Sequence, residues 1–206
     1  MQLDDGVAVR VAALCLDSAG RLSDKLLHEA AVRGALVLDL ARAGRLEMTD
    51  DSIEVDGTPT GFAPADRLLA AVVAEPERSL DGWLDEHRIG LRDVASANVA
   101  SGRWLLARRL WGRRYVDRAP EVTAHDLARR PADWSPDWTG SDCSVALVAG
   151  AAGLLDRTSG GTAEIPPTLV SATGVGWAAT AVLDHLRSAA ARYRTQAAAL
   201  GSGLGF

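Results

Sequence analysis

At 206 residues the chain can bury one sizeable core, and 48% hydrophobic with 24% charged residues excludes wholesale disorder. Its formal net charge of −5 disfavours a surface given over wholly to nucleic acid or anionic lipid. The longest apolar run, Val145 to Leu155, is far shorter than a bilayer span.

The acidic opening Met1-Gln2-Leu3-Asp4-Asp5 has no basic segment leading into an apolar one, so no secretory signal is expected and the cytoplasm is the expected location. Val7 to Leu22 is an apolar run ending in the turn signal Asp17-Ser18-Ala19-Gly20, which predicts a short helix running into a strand. Residues 24 to 46 form the most strongly marked element. Leu27, Ala30, Ala31, Gly34, Val37, Leu38 and Ala41 recur at helical steps, and Val32, Leu36 and Leu40 widen the apolar surface, so this helix needs neighbours on most sides. Ser23 is the expected N-cap, with Asp24 in the first turn and Gly44 as the left-handed residue after the end. Arg33, between Val32 and Gly34, needs a partner if buried. That partner is either Glu29, one turn earlier, or a ligand.

Leu46 to Met48 and Ile53 to Val55 alternate around Thr49-Asp50-Asp51-Ser52 and predict a small hairpin. Pro64 opens a helix that Pro76 ends, Ser79 caps a short helix carrying Leu80, Trp83 and Leu84, and a further helix covers Leu91 to Ser101 before Gly102. Two strands, Arg103 to Arg108 and Arg114 to Val116, are expected next, joined near Leu110-Trp111-Gly112. The stretch from Arg103 to Arg118 holds six arginines against one acid, Asp117. Trp104, Leu105, Leu106, Leu110 and Trp111 interleave with those arginines, a combination suited to reversible attachment to an anionic membrane surface. The same pattern also fits a hairpin packed on the body or on a second subunit, or the wing of a winged-helix nucleic-acid binder. Asp93 and the scarcity of cations beyond Arg92 disfavour the last.

Residues 129 to 140 are expected as a surface loop clamped by Trp134 and Trp138. Ser141 and Asp142 should cap a buried helix from Cys143 to Asp156, glycine and proline punctuate the stretch to Gly174, and a last helix runs from Val175 to about Leu200, with Gly201 to Phe206 as a mobile tail. The fold class expected is mainly α: a single-domain helical bundle over residues 1–200 around buried helices, with short peripheral β-hairpins.

Cys15 and Cys143 show no CxxC or Cys/His clustering, and His28, His87, His125 and His185 have no helical ligand spacing. Reduced core thiols, no metal and no cofactor are expected. There is no GxSxG elbow, no glycine-rich phosphate loop and no HExxH, and carboxylates such as Asp50, Asp51, Asp85 and Glu86 suit turns and wet faces, so no enzymatic activity is expected.

Several segments in a fixed order carry a resemblance. They are Val32-Arg33-Gly34-Ala35 leading to Ala43-Gly44-Arg45-Leu46, the Pro59-Thr60-Gly61 loop, Ser79-Leu80-Asp81-Gly82-Trp83-Leu84, Leu91-Arg92-Asp93-Val94, Gly102, and a hairpin ending Arg113-Arg114-Tyr115. Together they resemble the Golgi phosphoprotein 3 family, its bacterial, actinomycete-type members in particular. The resemblance implies a non-catalytic peripheral membrane adaptor that binds phosphatidylinositol 4-phosphate or another anionic phospholipid headgroup and the cytoplasmic tails of membrane proteins. It also implies self-association through the 103–118 hairpin. A location at the inner face of the plasma membrane would follow. A soluble protein-interaction scaffold without a lipid role is the alternative.

Carried over by position, the family's headgroup arginine corresponds to Arg33 and its tryptophan to Asp24, an acid. Its basic pair falls on Arg92 and Ala95, with Arg88 as the substitute cation. The expected headgroup set is therefore Arg33, Arg92, Arg88 and Asp24, and the expected membrane or self-association set is Trp104, Arg108, Arg109, Trp111, Arg113 and Arg114.

Overall fold

The computed structural model describes residues 5–50, 52–85, 88–109, 112–155 and 164–202. Helices dominate them. In chain order they are α1 (Val7–Leu14), α2 (Leu26–Arg42), α3 (Ala63–Ala74), α4 (Leu80–Leu84), α5 (Leu91–Ala100), α6 (Pro120–Ala128), α7 (Gly140–Ala151), α8 (Pro167–Ala172) and α9 (Gly176–Ser202). Two antiparallel pairs complete the fold: β1 (Leu46–Met48) with β2 (Ile53–Val55), and β3 (Trp104–Arg109) with β4 (Gly112–Asp117). The protein is mainly α with short hairpins, as its periodicity predicts.

Three helices form the centre. α1 packs on α2, α5, α6 and α7, while α2 also packs on α3, α7 and α9. α7 is buried from Asp142 to Ala151, because its sequence is apolar on nearly every face. The crossing of α2 and α9 is set by Gly34: a β-carbon there would lie 2.6 Å from Val182 Cγ1, so the two backbones approach as only glycine allows. Gly44 ends α2 with φ +65°, and the backbone bonds Gly44 N–H to Ala41 O and Arg45 N–H to Leu40 O close a Schellman turn. At the other end of α1, Val7 and Ala8 donate their backbone N–H groups to Asp39 in the middle of α2.

Several expectations are corrected. Ser23 does not cap α2. The helix begins at Leu26 with Lys25 as N-cap, Ser23 Oγ instead accepts the N–H of Lys25 at 3.2 Å, and Asp24 therefore precedes the helix. The strand expected after α1 is a single bridge, Leu16 to Leu22, closing the turn at Gly20. α7 is capped by Thr139, whose Oγ1 accepts the N–H of Asp142, while the Asp142 carboxylate accepts the N–H of Thr139, so the box lies two residues before the expected cap. The helix stops at Ala151, and Asp156 lies outside the described residues. α6 and α8 carry no apolar stripe long enough to declare them in sequence, yet both form on a proline at the first turn. Trp134 and Trp138 pack on the core as expected, although a 3₁₀ turn at Pro131–Asp133 interrupts their loop. The final helix extends through Ser202, past the expected start of the tail, of which 203–206 lie outside the described residues.

Candidate functional site: the Arg33 junction and the arginine hairpin

Arg33 is buried, with 3% exposure, so its guanidinium must find partners inside the protein. Its Nε donates to Leu84 O at 2.6 Å and its Nη1 to Ile89 O at 2.9 Å, so the side chain braces the segment between α4 and α5. Glu29 is not its ion-pair partner. The Glu29 carboxylate turns to the start of α5 and accepts the N–H of Leu91 at 2.7 Å, a helix N-terminus where negative charge is favoured. The two side chains meet at Gly90, where a β-carbon would lie 2.3 Å from Glu29 Oε2 and 3.5 Å from Arg33 Nη1. Spacing suggested a pair along one helix; tertiary contact has given each member a separate target on the crossing chain.

The other residues of the expected headgroup set lie in different surroundings. Asp24 is exposed and borders a groove with Arg21, Lys25, His28, Gly153 and Leu154 that Arg33 does not line. Arg92 is exposed on α5, and Ala95 is fully buried, so the second position of the basic pair faces the core. Arg88 is exposed at the side chain, and its carbonyl accepts from Arg67 at 3.4 Å. Arg67 also pairs with Asp93, whose carboxylate accepts the N–H of Gly90 at 3.0 Å. Arg33 itself lines a cavity of about 20 Å³ with Glu29, Asp85, His185 and Arg192.

The hairpin of β3 and β4 stands on two aromatic side chains. Trp104 is 2% exposed and meets Tyr115 edge-to-face, with centroids 5.7 Å apart and planes at 62°. Gly20 docks on the far edge of β4, giving its carbonyl to the N–H of Tyr115 at 2.7 Å, and a β-carbon at Gly20 would strike Tyr115 O. Arg114 donates to Ala19 O at 2.6 Å and is committed to the same turn. Alternation then turns Leu105 and its cross-strand partner Val116 outward, at 53% and 50% exposure. Arg113 is exposed further along β4. The side chains of Arg108 and Arg109, and all of Trp111, lie outside the described residues.

A partly buried charge cluster escaped the sequence because its members are far apart. Arg10 binds Asp126 through Nε at 2.9 Å and Nη2 at 2.5 Å, and its Nη2 also binds Asp142 at 2.7 Å, joining α1, α6 and α7. Burial opposes ionisation of Asp142, but hydrogen bonds from Arg10 and Thr139 win and hold its carboxyl below the usual range. Cys15 and Cys143 are buried and form no disulfide with each other. No helix among the described residues is long and apolar enough to cross a membrane.

The model of the Golgi phosphoprotein 3 (GPP34) family matches residues 10–200 of the chain. No curated protein matches it.

Proposed function

Since the chain belongs to the Golgi phosphoprotein 3 family, we propose that it is a non-catalytic peripheral membrane adaptor. In this reading it attaches to anionic phospholipid through the hairpin of β3 and β4, with the cytoplasmic tails of membrane proteins as its clients. The observation that carries this reading is the outward pair Leu105 and Val116, exposed side by side on a hairpin whose sequence is strongly cationic. Apolar side chains presented amid arginines suit the headgroup region, where each basic residue contributes about 1 kcal/mol and buried apolar area adds to it. A second copy docking on the same face would cover the same pair.

The expected lipid selectivity is for charge and not for one headgroup. Arg33 is already occupied by Leu84 O and Ile89 O, Asp24 stands where an aromatic wall would be needed, and Ala95 faces the core. A location at the inner face of the plasma membrane follows from this reading.

Flotation with phosphatidylglycerol liposomes tests it. Binding is expected at low salt, should fall steeply as salt shortens the Debye length below ~8 Å, and should be lost when Arg108, Arg109 and Arg113 are changed together to Ser. Leu105→Ser with Val116→Ser should weaken it several-fold. Salt-resistant binding to phosphatidylinositol 4-phosphate alone, abolished by Arg33→Met in a folded protein, would overturn the charge-only selectivity. Absence of flotation with any anionic liposome would leave the soluble scaffold.

A further inference from the structure

Beside the Arg33 junction, three metal-ligating side chains converge that the adaptor reading does not use. Asp81 lies on α4, and Asp85, its C-cap, follows one turn later, so both carboxylates project from the same side of a short helix. His185 reaches them from α9, 104 positions along the chain from Asp81. Its Nδ1 lies 2.6 Å from Asp81 Oδ1 and its Nε2 lies 3.7 Å from Asp85 Oδ1. One ligand atom from each of the three residues falls within 4.8 Å of the others.

The surroundings differ for the two kinds of ligand. The imidazole is 3% exposed, whereas the carboxylates are 71% and 51% exposed. A buried imidazole beside exposed carboxylates leaves room for water to complete a coordination sphere. His185 and Asp85 also line the cavity of about 20 Å³ described above, which is large enough for one water molecule.

We propose that Asp81, Asp85 and His185 form a binding site for a divalent cation of the zinc class, which clamps α4 to α9. Two carboxylates and a neutral imidazole carry two negative charges, which one dication cancels. An imidazole with carboxylates and no thiolate suits zinc and its borderline neighbours, while magnesium and calcium prefer all-oxygen sets. Around a tetrahedral zinc with bonds of ~2.0–2.2 Å, ligand atoms stand roughly 3.3–3.6 Å apart. The 3.7 Å between Nε2 and Asp85 is close to that spacing, and the exposed Asp81 carboxylate joins by giving up its contact with Nδ1. The competing cation is Arg192, whose Nη2 is 3.9 Å from Asp85 Oδ1 and which is 56% exposed, a solvent-screened contact that a dication displaces. Because Leu84 O is bonded to Arg33, a clamp on α4 also steadies the segment that satisfies Arg33.

The test uses the full chain after chelator treatment, titrated with zinc chloride by calorimetry and followed by thermal unfolding. One equivalent of zinc should bind and raise the melting temperature, with magnesium and calcium at least tenfold weaker. Cobalt(II) should give a visible d–d absorption band with the wild type. Asp81→Asn with Asp85→Asn, at exposed positions that leave the fold intact, should weaken zinc at least tenfold and abolish the cobalt band, and His185→Gln should do the same. Zinc binding of unchanged affinity in the Asp81→Asn, Asp85→Asn variant, or no binding to the wild type, would overturn the site.

Discussion

Val7 donates its backbone N–H to Asp39 Oδ1 at 2.8 Å, with Val7 fully buried and Asp39 1% exposed. A carboxylate in the middle of α2 thereby serves as the N-terminal cap of α1. Burial pushes the Asp39 carboxyl up to about 6, against the lowering effect of the Ala8 and Val7 N–H groups and of Arg42 and Arg10. An acid whose folded value lies above its unfolded one releases its proton first in the unfolded chain, so stability falls as pH rises between about 4 and 6. Asp39→Asn removes that slope. The stability of the variant relative to wild type should rise between pH 4 and pH 7 by on the order of 2–3 kcal/mol, read from urea unfolding at each pH. Parallel pH profiles would assign Asp39 an ordinary carboxylate.

The Arg10 cluster has the opposite sign. Asp142 is held below its ordinary value, so the stability it contributes is present above about 4 and is lost as pH falls through its folded value. Asp126, with a side chain 1% exposed, carries the bidentate contact to Arg10. Asp126→Ala should cost roughly 3–5 kcal/mol, since it strips a half-buried guanidinium of its main partner. Arg10→Met combined with Asp126→Leu should cost clearly less than the single change. A thermal melt of the three proteins decides, and a double variant weaker than Asp126→Ala would show that the cluster contributes net stability as a pair.

Gly90 tests how Glu29 and Arg33 share their site. Its φ of −178° is extended backbone that any residue adopts, so alanine there is penalised by contact and not by conformation. A β-carbon 2.3 Å from Glu29 Oε2 displaces the carboxylate from the Leu91 N–H. Gly90→Ala should destabilise by about 1–3 kcal/mol. In a Glu29→Ala background the same change should cost less than 0.5 kcal/mol, the signature of coupling in a double-mutant cycle. Additive costs would mean that Glu29 is not what the new methyl meets.

Gly34→Ala should destabilise despite the better helix propensity of alanine, by roughly 1–3 kcal/mol, because the added methyl lies 2.6 Å from Val182 Cγ1 in a close-packed crossing. Val182→Ala should rescue it in part. A stabilised Gly34→Ala protein would show that α9 can move away from α2 without loss.

Much of the scaffold was legible because local signals agreed with tertiary ones. Ser79 is the cap that its position announces, its Oγ accepting the Gly82 N–H, Gly44 and Gly102 adopt the left-handed conformation their places require, and the alternation of both hairpins survives in their register. What stayed hidden depends on contacts between distant residues. Glu29 looked like the partner of Arg33 because i,i+4 spacing is visible in sequence, whereas Leu91 N–H, 62 positions away, is not. Arg10 with Asp126, and Asp81 with His185, are separated by 116 and 104 positions and have no spacing to betray them. The hairpin was recognised by its composition, but which of its apolar residues faced out required knowing that Trp104 and Tyr115 face in.

α1 has a consequence for the chain as it is being made. All but Arg10 of its eight residues are buried, against partners that include α5, α6 and α7, and α7 ends only at Ala151. At the usual pace of roughly 5–20 residues per second, the ribosome needs on the order of ten seconds or more to deliver the rest of that lining. Until then this apolar segment lacks most of its lining. Its first shelter is α2, which brings Asp39 within reach of Val7 some 32 positions later. If these two helices pair early, they shield part of that surface, and changes at Asp39 should then lower soluble yield more than their effect on the finished protein suggests.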